Sequence, residues 1–205
     1  MGPPAEVLVA ETCVGTRALG PGIRSVAWVQ GCPFRCAGCI APDWIPAAGG
    51  RRVPVTDLAS ELLADPGVDG LTFSGGEPML QAAALAALAR RARAERDLTL
   101  IVFTGFRLAE LRRRPPEPGV PDLLAQADVV IDGRYVASRN DDRGLRGSDN
   151  QQVHLLTGRL AEYHAELAAG PRRTEIRLRP TSALLVGVPG APAARAFAAL
   201  TGDHQ

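Results

Sequence analysis

The sequence predicts an α/β fold in which strands and helices alternate around a parallel sheet or an open barrel. Three observations carry that prediction. Four apolar runs, at 26–30, 70–74, 98–104 and 128–132, are short, rich in β-branched or aromatic residues, and end in glycine or a polar turn. Helical patterns stand between them, and the chemically unusual residues follow the ends of the runs. A chain of 205 residues that is 46% hydrophobic buries one good core, and no stretch reads as a domain-separating linker.

The run at 26–30 is a buried strand whose Trp28 belongs to the core rather than to a ligand contact. Residues 56–65 follow a helical pattern, with Thr56 as N-cap and Leu58 and Leu62 on one face. The Ala/Leu-rich stretch 78–93 is a second helix opened by Pro78, whose missing N–H costs little in a first turn. Its end carries Arg90, Arg91, Arg93 and Arg96, cations that suit the negative end of the helix dipole. They read as a solvated helix end; the functional alternative is docking of an acidic flavodoxin or ferredoxin. "RRRPPEPGVP" at 112–121 is a surface connection. After Leu156 the pattern changes to a helix over 159–169, and "TEIRLRPTSALLVGV" reads as two short strands around a Pro-Thr-Ser turn.

Composition narrows the function. A net charge of +1 and a pI near 7.7 give no global field to attract nucleic acid or an anionic membrane. Every basic side chain is arginine, none lysine, which with the abundant Ala, Gly and Pro points to a GC-rich coding genome rather than a function. "MGPPAEVLVA" lacks the basic and apolar regions of a secretory signal, and Glu6 stands where a myristoylation signal takes Ser or Thr. No run approaches the about 18 apolar residues of a membrane span. A soluble cytoplasmic protein with neither nucleic acid nor membrane as partner is the expectation. In that reducing compartment clustered cysteines are metal or redox groups before they are disulfides.

"VQGCPFRCAGCIAPDW" at 29–44 sets Cys32, Cys36 and Cys39 in a C-x3-C-x2-C spacing directly after the first strand. "SGGEP" at 74–78, "TGF" at 104–106 and "DGRY" at 132–135 follow the other three. Parallel strands open their C-terminal ends on one face, so these motifs converge there. A structural zinc site draws four ligands from paired knuckles, and the second knuckle is missing, because His154, His164 and His204 are scattered. A cubane 4Fe-4S cluster normally takes four thiolates, so three leave one iron without a protein ligand. Cys13, well upstream in an isolated strand-like segment, could in principle fill that place, but it reads as a small buried apolar residue.

The cysteine spacing followed by a GGE-type turn resembles the radical S-adenosylmethionine (SAM) enzymes. Six stretches narrow the likeness: "GPGIR" at 20–24, "GCPFRCAGC" with Trp44 after it, "SGGEP", "TGF", "IDGRYV" and "RGSDNQ" at 146–151. In that order they are similar to the anaerobic ribonucleotide reductase activating proteins, a glycyl-radical activase family, over about residues 6–156. The resemblance implies a partial, open α/β barrel of the radical SAM type over 1–157. Residues 158–205 would be a C-terminal helix and β-hairpin extension packed on the same domain.

It also implies that Cys32, Cys36 and Cys39 hold a 4Fe-4S cluster whose open iron is chelated by SAM. Reductive cleavage then gives methionine and a 5′-deoxyadenosyl radical that abstracts a hydrogen atom. By the same resemblance Gly75, Gly76 and Glu77 receive the methionine ammonium, the glycines by close backbone approach and the acid by charge. Gly38 and Ile40 meet the adenine, and Thr104 with Gly105 the ribose. Asp132, Arg134 and Tyr135 meet the carboxylate end, where Arg134 offers a bidentate fork. Arg146, Ser148 and Asn150 close a loop of about 18 residues and belong to the SAM or substrate mouth. A "TG" ending a strand also serves simply as a helix cap, and "DGRY" as a surface turn.

The chain departs from the family at Phe34, where His is usual, at Ile40 and Ala41, where Tyr-Asn is usual, and in its longer tail. The favoured function is an activase that raises a glycyl radical on a partner enzyme, with flavodoxin or ferredoxin as electron donor. A radical SAM enzyme modifying a peptide or small metabolite is the same-class alternative. An iron-sulfur electron carrier or sensor that uses no SAM is the alternative from another class.

Overall fold

The computed structural model describes residues 5–201. Positions 1–4 and 202–205, including His204 and the ends of both expected segments, lie outside the described residues. Chain order is β1 (Glu6–Thr16), β2 (Arg24–Val29), β3 (Arg51–Pro54), α1 (Val55–Leu62), β4 (Gly70–Gly75), α2 (Ala82–Arg93), β5 (Thr99–Thr104), α3 (Leu108–Arg113), α4 (Val120–Gln126) and β6 (Val129–Asp132). There follow β7 (Gln152–Leu155), α5 (His164–Ala169), β8 (Thr174–Leu178), β9 (Ala183–Gly187) and α6 (Ala191–Thr201).

The first seven strands form one sheet in the order β3-β1-β2-β4-β5-β6-β7. Its centre is parallel: β2 pairs with β4, β4 with β5 and β5 with β6. Antiparallel β1 and β3 extend one side and antiparallel β7 the other. The fold is thus mixed α/β around a large, parallel-rich sheet. The central strands are the four apolar runs; β2 and β6 are buried along their whole length, as strands covered on both faces must be.

One face of the sheet carries α1, α2 and α4, packed through Leu58, Leu62, Leu85, Leu88 and Leu123 onto Phe73, Leu100 and Val102. The C-terminal segment reaches the other face. Val186 of β9 is buried with Cys13, Val26 and Trp28, and Leu167 of α5 with Ile101, Val129 and Ile131. Polar contacts bind the β8–β9 hairpin to β1: Arg177 donates to the Gly15 carbonyl, and Arg179 pairs with Glu11 at 2.7 Å.

Several expectations are corrected. The segment around Cys13 is not isolated but the middle of an 11-residue strand paired on both sides, and its alternation is interrupted by register shifts that hide it in the sequence. Thr56 is not an N-cap: α1 starts at Val55 behind Pro54, and the Thr56 hydroxyl turns to Asp57. The helix of 56–65 stops at Leu62. The 78–93 pattern divides into a 3₁₀ turn, Pro78–Gln81, and α2. The 112–121 connection holds the end of α3 and the start of α4, and the 159–169 helix reduces to a 3₁₀ turn, Ala161–Tyr163, and α5.

The opposite end of the parallel strands is tied by Arg24, which is completely buried. Its guanidinium donates to Thr72 Oγ1 at 2.8 Å, Thr99 Oγ1 at 2.9 Å and the Pro21 and Leu71 carbonyls, joining β2, β4 and β5. Burial lowers its pKa to about 10, so it stays charged at neutral pH. Arg24→Ala leaves these acceptors without a donor and should lower unfolding free energy by about 3 kcal/mol in urea titration; a change under about 0.5 kcal/mol, the size of an ordinary surface substitution, would show that Arg24 does not tie the strands.

Candidate active site

The C-terminal ends of β2, β4, β5 and β6 open on one cavity, and the expected motifs stand around it. The cysteine loop leaves β2 at Val29 and is pinned at its base. Gly31 N donates to the Trp44 carbonyl and Cys32 N to the Ile45 carbonyl, both at 2.9 Å. The buried amide of Gln30 donates to the Asp43 and Pro46 carbonyls at 2.9 Å, holding the returning arm of the loop. Cys32, Cys36 and Cys39 are half-buried and all line the cavity. Burial pushes the Cys32 thiol up to about 11, so it is protonated until a metal displaces the proton. Cys13 is buried among Val26, Trp28 and Val186, away from the cavity lining.

The turn after β4 needs its glycines. Gly75 has φ of +104°, and a Cβ on Gly76 would stand 2.3 Å from the Gly31 carbonyl oxygen. That closeness lets Gly76 N donate to the Val29 carbonyl at 2.7 Å and Glu77 N to the Gly31 carbonyl at 2.8 Å. Glu77 is 1% exposed. Its Oε1 accepts from Met79 N at 2.9 Å and from the Thr104 hydroxyl at 2.8 Å, and its Oε2 from Gly105 N at 2.8 Å. Burial drives the carboxyl pKa up to about 7 against the restraint of these bonds.

Across the cavity, Arg134 lies 4.5 Å above the Phe34 ring, and Phe34 packs edge-on against Phe106 at 4.8 Å. Arg134, Tyr135, Ile40, Thr104, Gly75, Gly76 and Glu77 line the cavity. Two of the expected residues do not. Gly38 sits outside the lining, against Ala137 and Tyr135. Asp132 is buried behind the wall: its Oδ2 accepts from Leu108 N at 2.7 Å and stands 2.9 Å from His154 Nε2, with Arg107 on Oδ1. It caps α3 and anchors the strand end that carries Arg134.

Arg146, Ser148 and Asn150 work inside the loop rather than at its opening. Ser148 Oγ accepts from Val136 N, Asn150 Nδ2 donates to the Arg134 carbonyl at 2.8 Å, and Arg146 pairs with Asp141. Their neighbours Asn140, Gly147 and Gln151 face the cavity instead. Trp28 is buried as expected and is also a wall, with Trp44 5.7 Å from it. Sequence reasoning also missed Phe103 and the Gly187, Val188, Pro189 stretch, whose placement depends on long-range packing. At the end of α2, Arg93 bonds Asp128 at 2.7 Å and Arg96 the Asp65 and Val68 carbonyls, so neither is a solvated end.

The donor set suits a cluster. Among the described residues no three His, Cys, Asp or Glu side chains converge closely enough for a single metal ion. A cubane asks for less convergence, because each thiolate meets a different iron. The glycine turn without room for a Cβ and the buried carboxylate beside the thiols give a cationic amine a place to approach.

Comparison with known proteins agrees. Residues 18–154 match the family described as the 4Fe-4S single cluster domain. The chain is 30% identical over 142 residues to the anaerobic ribonucleoside-triphosphate reductase-activating protein of Enterobacteria phage T4, covering 65% of this chain and 85% of the phage protein. It is 45% identical over 67 residues to the pyruvate formate-lyase-activating enzyme of Clostridium pasteurianum, covering 30% of this chain and 28% of that enzyme. With the pyruvate formate-lyase 1-activating enzyme of Escherichia coli K12 the figures are 34% over 117 residues, 55% and 45%. The chain spans less than half the length of these last two. It belongs to the 4Fe-4S single cluster domain family, among the radical SAM activating proteins. Its cofactors are a 4Fe-4S cluster and SAM.

Glu77 gives a pH prediction. A carboxyl whose folded pKa is raised from 4.5 to about 7 holds its proton more tightly in the folded chain. Its stabilising contribution is therefore full below about pH 4.5 and is lost as pH rises through about 7. In urea titrations of the apoprotein, the stability difference between wild type and Glu77→Gln should shift across that window in favour of the variant. A difference independent of pH would contradict the burial assigned to Glu77.

Proposed function

We propose that the protein generates a glycyl radical on a partner enzyme by reductive cleavage of SAM. The observation that carries this reading is that three thiols from one loop share a cavity with the Gly75-Gly76-Glu77 turn and with Arg134. A bound 4Fe-4S cluster would supply one-electron reduction to SAM, and SAM the radical chemistry that takes a hydrogen atom from the partner's glycine.

The chain's own residues bind, orient and keep water out. Cys32, Cys36 and Cys39 hold the cluster. Glu77 attracts the methionine ammonium, and its Oε2, which accepts a single hydrogen bond in the structure, retains acceptor capacity for it. Arg134, kept over Phe34, takes the carboxylate end with Tyr135 beside it. Asp132 supports that role from behind the wall. Ile40, 60% exposed beside Cys39, offers an apolar surface to the adenine, Gly38 lets the loop turn there, and Thr104 faces the ribose. Trp28, Trp44 and Phe103 make an apolar wall that limits quenching of the radical.

The seven-stranded sheet is read as an open partial barrel, with 1–157 as the core and 158–205 as the extension. No described helix is long and apolar enough to cross a membrane, which accords with a cytoplasmic enzyme. A flavodoxin or ferredoxin is the electron donor. Of the four arginines expected to dock it, Arg93 and Arg96 serve the fold while Arg90 and Arg91 stay exposed; the docking point is placed instead at Arg35, exposed between Cys32 and Cys36.

Reconstituted anaerobically and reduced, the protein should form 5′-deoxyadenosine from SAM, and adding the partner enzyme should produce a glycine-centred EPR doublet. Alanine at any of the three cavity cysteines should abolish both. Nucleoside formation without a doublet in any candidate partner would favour a peptide- or metabolite-modifying enzyme; no nucleoside at all would favour an electron carrier. Arg35→Glu should slow reduction by an acidic donor about tenfold at low salt and much less at high salt. Equal rates at both salt concentrations would move the docking surface elsewhere.

A further inference from the structure

The family match ends at residue 154, yet the segment beyond it is joined to the cavity wall. The last turn of α5 and the residues after it, 167–172, sit against 143–147. Leu145 N donates to the Leu167 carbonyl and Gly144 N to the Gly170 carbonyl, both at 2.7 Å, and Arg143 bridges Pro171. At the end of this seam Arg172 turns inward, its side chain only 6% exposed.

Its guanidinium is spent on that one loop. Nη2 donates to the Arg146 carbonyl at 2.7 Å and to the Gly147 carbonyl at 3.3 Å, and Nε to the Gly144 carbonyl at 3.2 Å. Nη1 donates to Asn140 Oδ1 at 2.8 Å and pairs with Asp142 at 3.3 Å. Together with Asp142 N, which donates to the same Oδ1 at 3.1 Å, this bond orients the amide of Asn140 so that its Nδ2 donates to the Tyr135 hydroxyl at 3.3 Å. Tyr135, Asn140 and Gly147 all line the cavity. A planar fork with five donors can saturate such a loop; a lysine, with one compact charge, cannot.

We propose that Arg172 is a positioning residue, through which the C-terminal extension holds the Tyr135–Asn140–Gly147 wall of the cavity in the shape that binds SAM. The proposal rests on the reading of this cavity as the SAM site. It gives the extension a part in the reaction: without Arg172 the loop loses its shared anchor, and Asn140 one of the two donors that orient it toward Tyr135, while the cysteines and Glu77 are untouched.

Two measurements test it. Hydrogen exchange of the apoprotein reads the hold on the loop independently of SAM, and equilibrium dialysis of the reconstituted protein reads SAM affinity. Arg172→Ala should speed exchange across 140–147 and weaken SAM binding about tenfold, as expected for loss of hydrogen bonds to a charged group. Arg172→Lys should not restore either, whereas methylguanidinium added to the alanine variant should restore both in part. Asn140→Leu cuts the link to Tyr135 while leaving Arg172 in place, so it serves even where Arg172→Ala fails to fold; it should weaken SAM binding to a similar degree. Unchanged SAM affinity in Asn140→Leu, or unchanged exchange and affinity in Arg172→Ala, overturns the proposal. Wild-type protein that binds no SAM refutes the proposed function instead, and the exchange result alone then decides whether Arg172 holds the wall.

Discussion

The site depends on one buried carboxylate. Parallel strands end side by side with their last carbonyls and the following N–H groups pointing toward the ligand face, and something must satisfy those donors without filling the space. Glu77 does this between β4 and β5, accepting from Met79 N, the Thr104 hydroxyl and Gly105 N. The Met79 bond caps the turn after β4 and the other two fix it to the turn after β5, and the cost of removing the acid from water appears in its raised pKa. A charge kept dry in this way interacts strongly with a cation brought beside it. The same group therefore ties the two turns together and, in the function proposed, attracts the methionine ammonium.

Around that clamp each wall has its own support. The cysteine loop is held from below by Gln30 and by the pairing of Gly31 and Cys32 with Trp44 and Ile45. The Arg134 wall is held from behind by Asp132, Arg107 and Asn150, and from outside by Arg172. Rigid elements place the ligands, and the Arg134 guanidinium lies on the Phe34 ring face at the cavity. This division suits chemistry in which the cofactors supply the reactivity and the protein supplies orientation and exclusion of water.

Much of this was legible in the sequence because it is local. The central strands were continuous apolar runs, and the cysteine and glycine motifs stood immediately after them, so the parallel rule was enough to bring them together. What depended on distant partners was not legible. The alternation of β1 is broken by bulges, β3 and β7 are only four residues long, and the helices over 108–126 are masked by arginines and prolines. Asp132 and Gly38 stood within the right motifs, yet Asp132 is buried behind the wall and Gly38 sits exposed outside the lining, which spacing alone does not reveal. Arg93 and Arg96 read as a solvated helix end, and nothing local singled out Arg172. Their roles come from acceptors far away along the chain, the Asp128 carboxylate for Arg93 and backbone carbonyls for Arg96 and Arg172, brought near by the finished fold.

The account turns on SAM meeting a cluster held by Cys32, Cys36 and Cys39 alone. Electron–nuclear double resonance on the reduced, reconstituted protein, with SAM labelled with nitrogen-15 at its amino group, asks this directly. A nitrogen coupling to the cluster spin, present with SAM and lost in Cys36→Ala, is the predicted result. A cluster signal that ignores added SAM, or that carries a fourth ligand from the protein itself, would contradict it.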